Sequence, residues 1–267
     1  MLVLARGAWF AAVMILFGAS LFTVPLRARL QIAFALPWRI AVVAVALASG
    51  LAWLALAAGE MAGAVPTIAI IRETLTTTLF GQTMAIRLLL LAALLVLRGP
   101  HITALLAGIA LALPALTSHA AATSPAGFSA IGITVDAVHL LSAAFWIGGL
   151  AALAVLFARR EPQIIAALGV FSDWAMVAVL LLIMTGLINA TQILLGEKGA
   201  DAPAYLWTLG AKLALVAVML ALATFNRFRL MPARQTGQIA RNVALELGIG
   251  LVVVLLAAWL GQISPTL

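Results

Sequence analysis

Long apolar stretches, separated by short polar or basic segments, run through the whole chain. A helix that crosses a bilayer needs about 20 mainly apolar residues, and most of these stretches reach that length without a charge. Two others reach it only by including one basic residue, Arg87 in the first and Lys212 in the second. The pattern therefore predicts eight membrane-spanning helices, at 4–24, 38–59, 80–97, 101–118, 132–157, 168–194, 206–226 and 241–261.

Polar and turn-forming residues separate the predicted helices. Pro114 and the run 117–119 close the fourth helix, and the turn-rich run 123–127 follows. The Thr-rich segment near 60–79 fits either a short interfacial helix or lid, or a plain surface loop. The first segment also resembles a signal peptide, but it lacks a clear small-residue cleavage site and is long enough to span. We expect an all-α bundle in one integral-membrane domain, 1–267, without a soluble domain.

Composition supports this membrane assignment. The chain has 267 residues, of which 66% are hydrophobic and 9% are charged, whereas a soluble domain carries about 25% charged residues. Cysteine is absent, which excludes disulfides, thiolate metal sites and iron–sulfur clusters. The net charge of +7 is typical of basic loops on one side of a membrane rather than of nucleic-acid binding.

The basic residues also predict the orientation of the bundle. Most of them fall in the loops after the first, third, fifth and seventh predicted helices: Arg27, Arg29, Arg39, Arg98, Arg159, Arg160, Arg227, Arg229, Arg234 and Arg241. The other loops and the N-terminus hold only Arg6, Arg72 and Lys198. Because cytoplasmic loops are enriched in Lys and Arg, we expect both termini to lie on the outer, periplasmic side.

The fifth predicted helix carries the most distinctive polar residues. Asp136, His139 and Trp146 share one helical stripe, with His139 about 10 Å inside the helix at 1.5 Å per residue. A histidine at this depth needs polar partners in the bundle. The carboxylate of Asp136 could orient the imidazole, as acids do at metal sites. A hydrogen bond between helices without any ligand explains the same residues.

Other polar residues in the spans have more than one interpretation. Arg87 and Lys212 fit side chains that snorkel outward or a cation-rich vestibule for an anionic ligand. Arg87 could also pair with Asp136, which would leave no carboxylate for a metal. Thr185, Asn189 and Gln192 form one polar face of the sixth predicted helix, as a pocket lining or as contacts between helices. On the cytoplasmic side, we expect a structural ion pair between Glu246 and Arg227, or between Glu246 and Arg229.

Methionines extend the list of candidate metal ligands. Met61, Met84 and Met184 fall in outer or middle positions of predicted helices. Thioethers and imidazoles suit Cu(I), and imidazoles with carboxylates suit Cu(II), although methionine in an apolar helix is often packing filler. The sequence has no nucleophile elbow, P-loop or His-Glu-x-x-His pattern, so nothing specific indicates an enzyme.

Taken in order, several segments resemble the CopD family of bacterial inner-membrane copper proteins. The strongest are 116–122, with His119, and 136–150, which reads DAVHLLSAAFWIGGL. Further matches are 212–215 followed by 226–232 (NRFRLMP), and 241–246 (RNVALE). Ser118 departs from the glycine that is usual in the family before the first histidine.

The resemblance implies copper import or resistance at the bacterial inner membrane. His119 and His139 match the two motif histidines of the family and become candidate copper ligands, with Asp136 and the three methionines as further candidates. Trp146, Asn189, Gln192 and Arg87 would line the pocket. Because no CopC-like domain is fused to the chain, we expect a separate periplasmic copper carrier of that type as partner.

Two other functions fit the same residues. In a haem b electron-transfer protein, His119 and His139 would be the axial ligands, although axial pairs face each other at similar depth. In an assembly factor that loads copper into a respiratory oxidase, the polar residues would hold helices together and the motif segments would form a partner surface.

Overall fold

The computed structural model describes residues 1–32, 38–117, 130–194 and 202–263, and this part of the chain contains helices and no β-strand. The α-helices are α1 (Leu2–Leu30), α2 (Arg39–Ala62), α3 (Ile68–Thr77), α4 (Leu79–Ala93), α5 (Pro100–Ala112), α6 (Ala130–Ala158), α7 (Ile164–Leu194), α8 (Pro203–Phe225) and α9 (Thr236–Leu260). A 3-10 segment, Leu113–Thr117, extends α5, and a π-helical turn, Asn226–Leu230, extends α8. The predicted all-α fold is confirmed.

Seven of the described helices are long and apolar enough to cross a membrane, and α3 with α4 forms a bent pair that adds an eighth span if it is taken as one. The predicted helix count is therefore confirmed as seven to eight. The third predicted span was too long at its C-terminal end, because α4 ends at Ala93. There Arg39 of α2 donates to the carbonyls of Leu94 and Leu97, at 2.5 and 3.1 Å, and so stabilises the chain after it leaves the helix.

The Thr-rich segment near 60–79 contains the short helix α3, as one of the two predictions had it. Thr67 accepts a hydrogen bond from the backbone N–H of Ile70 and begins α3, as N-cap residues do. Thr78 then ends α3 and begins α4, because its hydroxyl lies 2.7 Å from the Thr74 carbonyl and 2.9 Å from the N–H of Gly81. These contacts fix a 98° bend between the two helices.

The first and last described helices meet at one end of the bundle. The Arg6 guanidinium of α1 donates to the carbonyl of Gly261, just after α9, at 3.0 Å. We call this end the terminal end. Helices α1 and α6 run parallel, since the first half of α1 packs with Ala144 and the second half with Leu150 and Leu156. Helix α6 therefore also starts at the terminal end.

Helix α1 lies at the centre, between two buried clusters. In the terminal half, Trp9, Val13 and Leu16 pack with residues of α2, α4 and α5. In the opposite half, Phe22 and Leu26 pack with residues of α6, α7 and α9. Within lipid, association of helices depends on close van der Waals packing, and α1 provides the surface on which most of the others pack.

Helix α8 lies at the periphery of the bundle. It packs chiefly on α9, and only 6% of its most apolar stretch is buried. Its many exposed apolar side chains, such as Leu213 and Val218, fit contact with lipid. Lys212 is the one basic residue within α8 and is partly buried. It lies near enough to α6 for its charge to act on residues of that helix.

Candidate functional site

Polar side chains from three helices meet in the terminal half of the bundle. Asp136 and His139 come from the first turns of α6, Thr185 and Asn189 come from α7, and Lys212 comes from α8. Helices α6 and α7 are antiparallel neighbours. His139 therefore faces Thr185, and Asp136, one turn earlier on α6, faces Asn189, one turn later on α7. We call these five residues the His139 cluster.

His139 is held through one ring nitrogen. Its Nδ1 lies 3.0 Å from the Thr185 hydroxyl, and that hydroxyl lies 2.6 Å from the Leu181 carbonyl. A hydroxyl has one proton to donate, and the carbonyl can only accept it. When Thr185 donates to that carbonyl, it accepts from Nδ1–H of His139. In a neutral imidazole this leaves Nε2 with a lone pair, which is the form that binds a metal.

Asp136 is oriented by a second contact between the same helices. Asn189 donates from Nδ2 to Oδ1 of Asp136 at 2.8 Å, while the amide oxygen of Asn189 is buried without a partner in the described part of the chain. Lys212 of α8 is partly buried and near enough for its charge to act on both Asp136 and His139. Within the described residues it forms no ion pair with Asp136.

The other sequence candidates lie at different distances from this cluster. His119 falls outside the described residues. Gln192 lies on α7 three residues beyond Asn189 and is partly buried. Trp146 is 3% exposed and lies two turns further along α6, where it lines a cavity in the opposite half of the bundle.

The methionine candidates do not join the His139 cluster within the described structure. Met184 and Met61 are each 54% exposed on the outside of the bundle. Met84 is fully buried in the terminal-half core. The positions of Met184 and Met61 fit contact with lipid. The position of Met84 fits apolar packing, which is the alternative role of methionine that the sequence left open.

Arg87 is fully buried and lies apart from Asp136. Its Nη2 donates to the Thr83 hydroxyl at 3.0 Å, and its guanidinium carbon lies 5.7 Å from the ring centres of Trp9 and Trp53. These contacts are cation–π interactions, which gain strength where water is excluded. Among the described residues, Asp136 is thus hydrogen-bonded to Asn189 and not to Arg87.

The expected ion pair between Glu246 and Arg227 is not formed. Arg227 makes an ion pair with Asp173 at 3.4 Å and also donates to the Ser172 hydroxyl. Glu246 instead accepts a hydrogen bond from Asn226 at 2.7 Å. The π-helical turn that begins at Asn226 adds a residue to the turn and directs Arg227 toward α7.

Sequence reasoning found the helices that carry the His139 cluster but missed one contact within it and a second polar network elsewhere in the bundle. The polar face of α7 was predicted, whereas the pairing of Thr185 with His139 was not, since a pattern shows which face is polar and not what it meets. The network of Asn226, Asn242 and Glu246 was also missed. The only signal for it was the presence of two amides and a carboxylate in otherwise apolar segments.

Comparison with known proteins identifies the family. The protein-family model described as "Copper resistance protein D" matches residues 165–260. A second family model, "Copper resistance protein D-like, N-terminal domain", matches residues 1–128. The chain belongs to the copper resistance protein D (CopD) family. In this CopD-family chain, the His139 cluster lies on α6, α7 and α8. The match to residues 165–260 includes α8 and nearly all of α7.

Two curated relatives carry names that refer to copper. The CopD-family chain is 34% identical over 149 residues to the "Copper transport protein CutJ" of Bacillus subtilis, a match that covers 54% of this chain and 27% of the relative. It is 33% identical over 184 residues to the "Copper resistance protein D" of Pseudomonas syringae pv. tomato, covering 60% of this chain and 58% of the relative. No solved structure matches the chain.

The chain therefore spans about a quarter of one relative and under three fifths of the other. The family and the relatives' names support a copper-related protein with several membrane helices, and these names describe transport and resistance rather than an enzymatic reaction. Within the described residues, no group of three or more His, Cys, Asp or Glu side chains is placed to hold a metal ion.

Proposed function

We propose that this protein binds copper at the periplasmic face of the bacterial inner membrane and moves it into the bundle. His139 is the central ligand, and His119, on the segment that leads into α6, is the second. The single observation that carries the proposal is the contact of His139 Nδ1 with the Thr185 hydroxyl inside a membrane helix; with Nδ1 as the donor, Nε2 would have the lone pair that binds copper. Metal-binding histidines are commonly held through their other nitrogen in this way.

The charges around His139 suit a transient cargo. Asp136 supplies a carboxylate that attracts a cation, and Lys212 balances that carboxylate while the site is empty. An arriving copper ion would compete with the ammonium group for Asp136, so binding costs less than placing an isolated cation in the membrane. Lys212 also repels the ion, which favours release over permanent retention.

The orientation and the partner follow from the sequence expectations. Basic residues are concentrated at the end opposite the terminal end, and the positive-inside rule supports a periplasmic position for the His139 cluster. The names of the relatives support copper as the cargo. A separate copper carrier of the CopC type would deliver the ion to this face.

Copper accumulation in cells tests the proposal. Cells that express the protein should accumulate more copper than cells with an empty vector, and the double variant His119→Ala/His139→Ala should lose this increase. Met184→Leu is the matched control, because Met184 is more than half exposed on the same helix as Thr185. Equal accumulation and equal copper tolerance for wild type and double variant, at equal protein levels, would refute the proposal.

A further inference from the structure

A second polar site lies in the opposite half of the bundle, on the far side of Trp146 from His139. A cavity of about 190 Å3 lies between α6, α7, α9 and the end of α8. Most of its lining is apolar. The side chains that carry oxygen, nitrogen or sulfur include Met176, Asn226, Arg227, Met231 and Glu246, together with the hydroxyls of Ser172 and Thr224. We call it the Glu246 cavity.

Glu246 is the acid of this cavity. Its side chain lies ten residues inside α9 and the residue is 2% exposed. Asn242 donates to the amide oxygen of Asn226, and Asn226 donates to Glu246, both at 2.7 Å. The first hydrogen bond orients the amide of Asn226, and the second makes Glu246 the acceptor. A carboxylate has about four acceptor positions, so most remain for a ligand.

This carboxylate has no basic partner in the described part of the chain. Arg227 lines the same cavity but is held by Asp173 and Ser172 of α7. An isolated carboxylate is costly in a membrane, so a buried acid without a cation takes up a proton instead. An ionisable residue within a membrane helix usually has a function, and a monovalent cation that displaces the proton of Glu246 would leave the net charge of the site unchanged.

The methionines of the cavity indicate which cation it would bind. Met231, after the π-helical turn, and Met176 of α7 line the same space as Glu246. Met231 is partly buried, whereas Met176 is 54% exposed and differs from the equally exposed Met184 and Met61 in lining this cavity. Thioether sulfur selects Cu(I) over harder ions, and no imidazole lines the cavity to favour Cu(II). One carboxylate also neutralises one monovalent ion, whereas Cu(II) would leave an uncompensated charge in the membrane.

We propose that the Glu246 cavity is an inner binding site for Cu(I), with Glu246, Met176 and Met231 as ligands and Asn226 as a positioning residue. This inference rests on the proposed function, because it places a second station on the route from the His139 cluster. Trp146 lies seven residues beyond His139 on α6 and lines the cavity. At 1.5 Å per residue, the two sites are therefore about 10 Å apart along the bundle.

The test uses Ag(I), a stable analogue of Cu(I), titrated into the full-length protein in lipid nanodiscs with a competing chelator. Wild type should bind two ions. The variant His119→Ala/His139→Ala should bind one, and adding Met176→Leu/Met231→Leu should abolish it. Glu246→Gln, which keeps the hydrogen bond from Asn226, should weaken this inner binding. Asn226→Ala should weaken it by about ten- to hundredfold while the affinity of the outer site stays unchanged.

Met219→Leu is the matched control. Met219 is buried in the same half of the bundle, 3% exposed, and does not line the cavity. Loss of Ag(I) binding in Met219→Leu as in the paired methionine variant would overturn the inner site. The site is also overturned if the histidine double variant binds no Ag(I), although wild type binds it; the proposed function then stands. If wild type binds neither Ag(I) nor Cu(II) and moves no copper, the proposed function itself fails.

Discussion

The absence of a side chain at Gly186 leaves space for the imidazole of His139. A Cβ atom built on Gly186 of α7 would lie 3.3 Å from Cε1 of His139, a tighter approach than most side-chain contacts allow. Gly186 follows Thr185, which fixes Nδ1 of the same ring. One turn of α7 thus determines both the hydrogen bond and the distance of the imidazole from the helix.

Gly186→Ala should therefore weaken copper binding without unfolding the protein. The added methyl group would push the ring by a few tenths of an ångström and lengthen its bond to Thr185, and we expect copper affinity to fall by up to about tenfold. Copper titration with a competing chelator measures this. Gly169→Ala, on the same helix with open space around it, should bind like wild type. Unchanged affinity in Gly186→Ala would show that the ring position is not critical.

The residue scale also shows where sequence reasoning reaches its limit. The spacing of Asp136 and His139 predicted a polar stripe, because helical periodicity fixes which residues share a face. It could not show that Thr185 and Asn189 complete that stripe, since partners depend on how helices pack. The expected pair of Glu246 and Arg227 failed for a local reason. It assumed a regular helix end, and the π-helical turn at Asn226–Leu230 changes the direction of Arg227.

At the scale of elements, the central contact is the crossing of α1 and α6. A Cβ atom on Gly148 would lie 2.6 Å from Cα of Gly18, and one on Gly18 would lie 2.8 Å from Cα of Gly148. The two backbones therefore touch, as they do where small residues let membrane helices approach closely. This contact sets the position of α6 and, with it, the depth of His139.

Gly18→Ala should destabilise the bundle by separating these helices. The added atom meets backbone atoms of Ala144 and Gly148, which cannot rotate away, and overpacking of this kind costs about 1–3 kcal/mol. We expect a lower Tm in detergent, followed by the fluorescence of the buried tryptophans. Gly248→Ala provides the comparison, because nothing lies within 4 Å of its added methyl group. Equal melting of Gly18→Ala and wild type would contradict backbone contact at this crossing.

Elements were easier to predict than their contacts. The apolar lengths gave the long helices to within a few residues, since the thickness of the bilayer limits the length of a span. The third span was less accurate because α4 is short and meets α3 at a sharp bend. That bend depends on the two hydrogen bonds of Thr78, and a threonine-rich segment does not show which residue makes them.

At the scale of the whole molecule, charge is distributed unevenly between the two ends. The loop between α8 and α9 carries basic residues, as do the C-terminal ends of α1 and α6. Arg6, at the terminal end, is tied to Gly261 and to the rings of Phe10 and Trp53. The proposed direction of copper movement depends on this asymmetry, because it decides which face of the membrane the His139 cluster approaches.

Cysteine labelling tests the orientation directly, since the chain has no cysteine of its own. Ala64→Cys lies after α2 at the terminal end, Ala233→Cys lies between α8 and α9, and both positions are exposed. In intact spheroplasts, a thiol reagent that cannot cross membranes should label Ala64→Cys and leave Ala233→Cys unlabelled until the membrane is permeabilised. The opposite pattern would place the His139 cluster on the cytoplasmic side. Copper from the cytoplasm would then meet the His139 cluster first and the Glu246 cavity second, so the same two sites would lie along an export route.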